Sequence, residues 1–243
     1  MICRFLMQNS ADPPSPGPAP GKGPLIQRVF GAVAGRYDLA NFVLSGGLDS
    51  LWRRRAARIV SKWRPLNVLD LATGSGELAL AIARECPAAT VIGVDFCLPM
   101  LRVAKGKGLV NLIQADGLRL PFPDSAFDAV TIAFGLRNME SLETGLAEMA
   151  RTLRSGGHLL VLDFSVPQPP LRGIYRFYLH RILPRFAALL TGDRSAYEYL
   201  GASIEEFPQG EGMTALIAAA GFSEARCEPL TGGIVSLYTA RRN

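Results

Sequence analysis

Histidine is nearly missing from this chain, with His158 and His180 the only two in 243 residues. Its four cysteines (Cys3, Cys86, Cys97 and Cys227) form no C-x-x-C pair. Structural zinc sites and disulfide frameworks depend on such spacing, so neither is expected and no metal is assigned. That thiol usage fits a reducing cytoplasm. No apolar run approaches the roughly 18 residues of a membrane span, and Ile2 to Met7 is too short for a signal-peptide core. Basic stretches interleaved with stacking aromatics are also missing, which argues against a nucleic acid partner.

What is present is enough for one sizeable α/β domain with an insertion, since 49% of the residues are hydrophobic. The run Pro13 to Gly21 alternates proline with glycine, serine and alanine. Residues 1–24 therefore read as a disordered tail ahead of a domain over 25–243. The net charge is +5, and Arg53, Arg54, Arg55 and Arg58 fall on one expected helix, Asp49 to Trp63. That face is either simply solvated or meets an anionic membrane surface.

Residues 67–76, Asn-Val-Leu-Asp-Leu-Ala-Thr-Gly-Ser-Gly, carry the most information. A short apolar run ends in Asp70, turns through Thr73, Gly74 and Gly76, and opens an alanine-rich helix. This is a parallel strand delivering a ligand loop to a helix N-terminus. A second apolar run, Thr90 to Val94, ends in Asp95, placed to grip both hydroxyls of a ribose. The string Gly74 to Ala79 also satisfies the dinucleotide pattern G-x-G-x-x-G/A. Charge separates the two readings, because Asp70 and Glu77 flank the loop and would repel a diphosphate. S-adenosylmethionine is cationic at both its sulfonium and its ammonium and has no phosphate. Asp70 suits that ammonium, and Gly74 and Gly76 let the backbone approach the methionine portion. Asp116-Gly117, at the tip of a third strand, suits the adenine amino group and ring. Each Asp alone reads equally well as a turn or cap; three at successive strand ends point to a methyl-donor site.

Strands are expected at 67–72, 90–95, 109–115, 127–134 and 158–164, alternating with helices at 76–85, 98–105 and 140–153. Gly156-Gly157 reads as the turn before the fifth strand. Two closing strands, 222–228 and 234–240, flank the tight Thr231-Gly232-Gly233 connection as an antiparallel pair. The alternation implies a mostly parallel seven-stranded sheet with ligands beyond its carboxyl ends. Residues 166–212 break it. There Tyr175, Tyr178, Leu179, Ile182, Leu183 and Phe186 form one helical stripe among Arg172, Arg176, His180, Arg181 and Arg185. This reads as a helix packed on the domain and as a lid over an aromatic acceptor with a greasy tail.

Several strings resemble the ubiquinone/menaquinone C-methyltransferases: Tyr37-Asp38, Leu44-Ser45-Gly46, Trp52-Arg53, Phe134-Gly135-Leu136-Arg137-Asn138 and Leu162-Asp163-Phe164-Ser165. So do Ser203-Ile204, Phe207-Pro208 and Leu230 to Val235. The resemblance implies a Rossmann-like class I S-adenosylmethionine-dependent methyltransferase with N-terminal helices and a helical lid. It also implies donor contacts at Thr73, Asp95, Asp116 and Gly117, while Ala133 stands where some relatives carry a serine contact. The acceptor would be a polyprenylated quinol. The Thr73 loop resembles the branch that converts demethylmenaquinol to menaquinol; the other branch methylates 2-methoxy-6-polyprenyl-1,4-benzoquinol. Arg137 would steady a phenolate, and Tyr37 and Asn138 would hydrogen-bond the ring oxygens; an ion pair for Arg137 and a helix cap for Asn138 are the structural alternatives. The implied location is cytoplasmic, at the inner face of the membrane, and a homo-oligomer is compatible with it. Competing readings are a methyltransferase for another small acceptor, a non-catalytic donor-binding subunit of a quinone-biosynthesis assembly, and an NAD-dependent oxidoreductase.

Overall fold

A computed structural model describes residues 45–183 and 195–243. The proline-rich tail, the chain ahead of residue 45 where the resemblance implies N-terminal helices, and Tyr37 lie outside the described residues. Seven strands follow in chain order: β1 (Asn67–Leu71), β2 (Thr90–Asp95), β3 (Leu112–Gln114), β4 (Phe127–Ala133), β5 (Leu153–Phe164), β6 (Phe222–Leu230) and β7 (Val235–Arg242). They form one sheet in the order β3-β2-β1-β4-β5-β7-β6. The first five are parallel, and β7 runs antiparallel to β5 and β6. Strand order reverses between β1 and β4, which opens a crevice at their carboxyl ends where ligands of such sheets bind.

Both faces of the sheet are covered, and the strand period of two sorts the side chains between them. Val68 joins Trp52, Ala56 and Val60 of α1 (Leu48–Lys62), with Leu78 and Ile82 of α2 (Glu77–Glu85) and Ala104 of α3 (Leu98–Gly106). Leu69 and Leu71 point the other way, onto Leu146 and Met149 of α4 (Leu142–Thr152). Burying each such aliphatic side chain contributes about 1.5–3 kcal/mol. In chain order between β5 and β6 come α5 (Leu171–Phe177), α6 (Ser195–Glu206) and α7 (Glu211–Ala219), and Met213 and Ile217 of α7 complete the second face.

Three boundaries differ from the sequence reading. β3 begins at Leu112 rather than Leu109, because the Leu109 N–H donates to the Ala104 carbonyl (3.2 Å) and closes α3. Gly156-Gly157 do not precede β5 but lie inside it, where Gly156 takes φ +72° and the register with β4 shifts. A bulge absorbs the residues that a turn was expected to hold. The stripe on α5 is interrupted by a π-helical turn, Tyr178–Ile182. Tyr175, Leu179 and Leu183 are buried with Ile204, against Phe164, Val166 and Ile234. Phe186 lies outside the described residues. On the outer side of α5, Leu171, Ile174 and Phe177 stay 46%, 70% and 60% exposed.

Candidate functional site

The carboxyl ends of β1, β2 and β4 meet at one place because β1 pairs with both others. Past Leu71 the backbone leaves the sheet through Ala72, at φ +50°, and Gly74, at φ +57°. A non-glycine residue in that region is strained. Three contacts hold Ala72–Gly76 there: the Thr73 N–H donates to the Val94 carbonyl (2.9 Å), the Gly76 N–H to the Thr73 carbonyl (2.9 Å) and the Gly74 N–H to Asp95 Oδ2 (2.7 Å). Two glycines elsewhere make room. A Cβ on Gly93 would stand 2.9 Å from Thr73 Cγ2, and one on Gly135 would stand 2.4 Å from Ala72 Cβ. The loop after β4 is thus pressed against the loop after β1.

Asp70 is buried at the base of this loop. Thr73 Oγ1 donates to one carboxylate oxygen (2.6 Å) and Thr131 Oγ1 to the other (2.7 Å). Burial pushes its pKa up to about 6, against the two hydroxyl bonds and the charge of Arg53. Asp95 is half-buried and its second oxygen accepts from the Cys97 N–H (2.8 Å). Its pKa is also raised by burial, against bonds from Cys97, Gly74 and Phe96. Asp116 is exposed and its carboxylate accepts from the Leu118 N–H (2.9 Å), so in this conformation it caps its own turn. Gly117 lies against Met139, whose Cε would be 2.8 Å from an added Cβ.

These positions suit a cationic adenosyl ligand: two raised carboxylates, a tightly strapped glycine loop, and no phosphate-matching cation on it. Glu77 contributes less than its sequence position implied, since Lys107 pairs with it at 2.5 Å. Of the two acids flanking the loop, Asp70 is the one without an ion-pair partner among the described residues. Among the described residues no group of three His, Cys, Asp or Glu side chains is placed to hold a metal, and no helix is long and apolar enough to cross a membrane.

The acceptor-side residues follow β4. Phe134 takes φ +59°, its N–H donating to the Leu162 carbonyl (2.7 Å), and a 3₁₀ turn carries Leu136–Asn138. Arg137 is buried, and its Nη1 donates to Asp163 Oδ1 (2.5 Å) and to the Phe134 carbonyl (2.7 Å). Its guanidinium carbon lies 5.2 Å from the Phe164 ring centre, and its Nε has no hydrogen-bond partner among the described residues. Asn138 Nδ2 donates to the Phe134 carbonyl at 3.5 Å. Asn138 does not cap α4; Ser141 does, accepting from the Thr144 N–H (3.1 Å). Asp163 and Thr131 had no role in the sequence reading. The signal for Asp163 was an acid in the apolar run His158 to Phe164, since a buried charge requires a partner.

The profile of the ubiE/COQ5 methyltransferase family matches residues 21–242. A demethylmenaquinone methyltransferase of Thermus thermophilus is 47% identical over 220 residues, covering 88% of this chain and 100% of that protein. A ubiquinone/menaquinone biosynthesis C-methyltransferase UbiE of Syntrophotalea carbinolica is 42% identical over 221 residues, covering 88% and 93%. Among solved structures, an S-adenosylmethionine-dependent methyltransferase of Thermotoga maritima superposes with a TM-score of 0.63 at 18% identity, covering 90% of this chain and 100% of that one, a likeness of fold.

Proposed function

The chain belongs to the ubiE/COQ5 methyltransferase family, and on that premise we propose that it moves a methyl group from S-adenosylmethionine to a ring carbon of demethylmenaquinol, giving menaquinol. It is an S-adenosylmethionine-dependent enzyme with the Rossmann-like sheet of class I methyltransferases. The observation that carries the donor site is Asp70: a buried carboxylate held by two neutral hydroxyls at the foot of a glycine loop. Relatives named for demethylmenaquinone carry the acceptor.

In this reading Asp70 takes the donor's ammonium, Asp95 its ribose hydroxyls, and Asp116 with Gly117 its adenine, while Thr73 and Gly74 shape the loop. The donor supplies an electrophilic methyl group on a sulfonium. The chain's part is to hold the ring carbon about 3–3.5 Å from that methyl, in line, since positioning supplies much of the rate. Loss of a phenolic proton pushes electron density onto the adjacent ring carbon. That carbon forms the new C–C bond as the S–CH₃ bond breaks and its electron pair leaves on sulfur. The ring C–H proton then passes to water as aromaticity returns. Asn138 and Tyr37 hydrogen-bond the ring oxygens. Arg137 contributes positive potential beside the phenolate and anchors the Phe134 carbonyl.

The lid is the 166–212 segment. The outer face of α5, with the exposed Leu171, Ile174 and Phe177 and with Arg172 on the same helix, rests on an anionic lipid surface from which the prenyl tail enters. The enzyme works from the cytoplasmic side of that membrane.

Product formation by mass spectrometry with demethylmenaquinone and the methoxy-benzoquinone, each with and without dithionite, tests this. Methylation of demethylmenaquinone is expected only after reduction, faster than that of the other quinol, and faster still on anionic vesicles at low salt. Equal transfer to the oxidised ring refutes the phenolate step. Equal use of both quinols refutes the choice of branch.

A further inference from the structure

Arg53 is separated from the other arginines of α1 by where it goes. Arg55 and Arg58 reach outward to Glu228 (3.1 Å) and Glu85 (3.9 Å), whereas the Arg53 side chain is only 13% exposed. Its Nη1 donates to Asp49 Oδ2 one helical turn earlier (2.5 Å), and its guanidinium carbon lies 5.2 Å from the Phe134 ring centre. Phe134 itself is locked in place against Phe164 (ring centres 4.7 Å apart) and Trp52 (6.2 Å). Gly135, the next residue, abuts Ala72 of the glycine loop. The guanidinium is therefore a fixed cation at the β1–β4 crevice, and its charge is felt at Asp70. Its bond to Asp49 uses Nη1, and a guanidinium carries five N–H donors in a planar fork that matches a carboxylate.

The methionine end of the donor carries an ammonium and a carboxylate on the same carbon. A buried acid with a guanidinium nearby is the matching arrangement of charge. We infer that Arg53, oriented by Asp49 and the Phe134 ring, binds the carboxylate of the methyl donor while Asp70 binds its ammonium. The inference rests on the donor site proposed above. It gives Arg53 a ligand-binding role on a helix whose other arginines serve the surface.

Calorimetry with three ligands tests it: S-adenosylmethionine, its decarboxylated analogue, and 5′-methylthioadenosine, which lacks both charged groups. In Arg53→Gln, S-adenosylmethionine should bind about 10- to 100-fold more weakly, and the decarboxylated analogue, which keeps the sulfonium and ammonium, and methylthioadenosine, which lacks the sulfonium charge as well, within twofold of wild type. Arg53→Lys should fall between, keeping charge without the fork, and Asp49→Asn should show a smaller loss of the same selectivity. Equal weakening of all three ligands, or of none, overturns the inference. So does a lowered turnover with unchanged donor affinity, which would assign the cation to the acceptor. If Arg53→Gln does not fold, wild type still decides: failing to prefer S-adenosylmethionine over its decarboxylated analogue overturns the inference. Wild type that binds methylthioadenosine but not S-adenosylmethionine sinks the Asp70 reading as well, and binding of none of the three removes the donor site altogether.

Discussion

Asp70 and Asp163 occupy equivalent places, one at the carboxyl end of β1 and one at that of β5, and both are buried. Asp163 faces a guanidinium at 2.5 Å and also accepts from the Phe164 N–H (2.8 Å). Among the described residues, Asp70 has only the hydroxyls of Thr73 and Thr131 at hydrogen-bond distance. One carboxylate has a guanidinium bonded to it; the other feels the charge of Arg53 only at longer range and, among the described residues, has no cation at bonding distance. A buried acid whose partners are neutral marks where a cationic ligand is wanted, and a buried acid with its own arginine marks where the fold is being held. The same contrast bears on Arg137, whose side chain is only 3% exposed, so its first task is internal.

The largest effect should come from breaking the satisfied pair. Asp163→Ala leaves the Arg137 guanidinium buried and unpaired, at a cost of about 3–5 kcal/mol in folding free energy. Denaturant unfolding at pH 7 measures it. Replacing both, Asp163→Leu with Arg137→Met, should recover most of that stability while the loop after β4 loses its anchor and turnover drops. If the single substitution costs under 1 kcal/mol, the pair is not the internal strut described here.

On the ligand side, Asp95→Ala removes the acceptor for the Gly74 and Cys97 N–H groups as well as the ribose contact. S-adenosylmethionine should bind about 10- to 100-fold more weakly, the equivalent of about 1.5–3 kcal/mol. An unchanged dissociation constant removes the ribose assignment.

Asp70→Asn should act in the opposite direction on stability. Between about pH 4 and 6 the folded protein holds a proton on Asp70 that the unfolded chain has already lost, so stability falls as pH rises through that window. Above it the cost is fully present. The asparagine carries no such cost, and the free protein should gain about 1–3 kcal/mol at pH 7, a difference that shrinks toward zero near pH 4. Donor binding should be lost in the same variant. A variant less stable at pH 7 than at pH 4, relative to wild type, would contradict the view of Asp70 as an uncompensated charge.

Legibility in the sequence followed locality. The β1 strand, its glycine loop and Asp95 were readable because strand, turn and helix lie within a few residues of one another. So were the parallel order and the antiparallel closing pair, through the spacing of apolar runs and the Thr231-Gly232-Gly233 turn. An ion pair for Arg137 was one reading, but its partner Asp163 was not legible, since Arg137 follows β4 in a 3₁₀ turn and Asp163 ends β5, so the pair needs the β4–β5 neighbourhood to exist first. Thr131 was hidden for the same reason: it is a polar residue in an apolar run until β4 is laid beside β1. Asn138 shows the reverse limit. Its position before a helix fits a cap, yet Ser141 is nearer the first turn and takes that role. Arg53 was read with its neighbours as a surface cluster, because a run of arginines does not say which one turns inward.

The smallest effect is a fraction of a proton. A donor ammonium beside Asp70 favours its charged form and draws its pKa down from about 6, so binding at that pH must expel the proton that about half the molecules carry. Calorimetric titration of S-adenosylmethionine in buffers of different ionisation enthalpy, between pH 5 and 7, reads this directly. Release should approach one proton per donor at pH 5, about one half at pH 6, and little at pH 7. Below pH 6 the dissociation constant should accordingly rise toward tenfold per pH unit. The donor's own amino group, near 7.7–8.0 in a free peptide, is almost fully protonated at pH 5 and 6 and takes up only about a tenth of a proton at pH 7. Proton release that is the same at all three pH values, or that opposes this sign, would erase the distinction between the two acids.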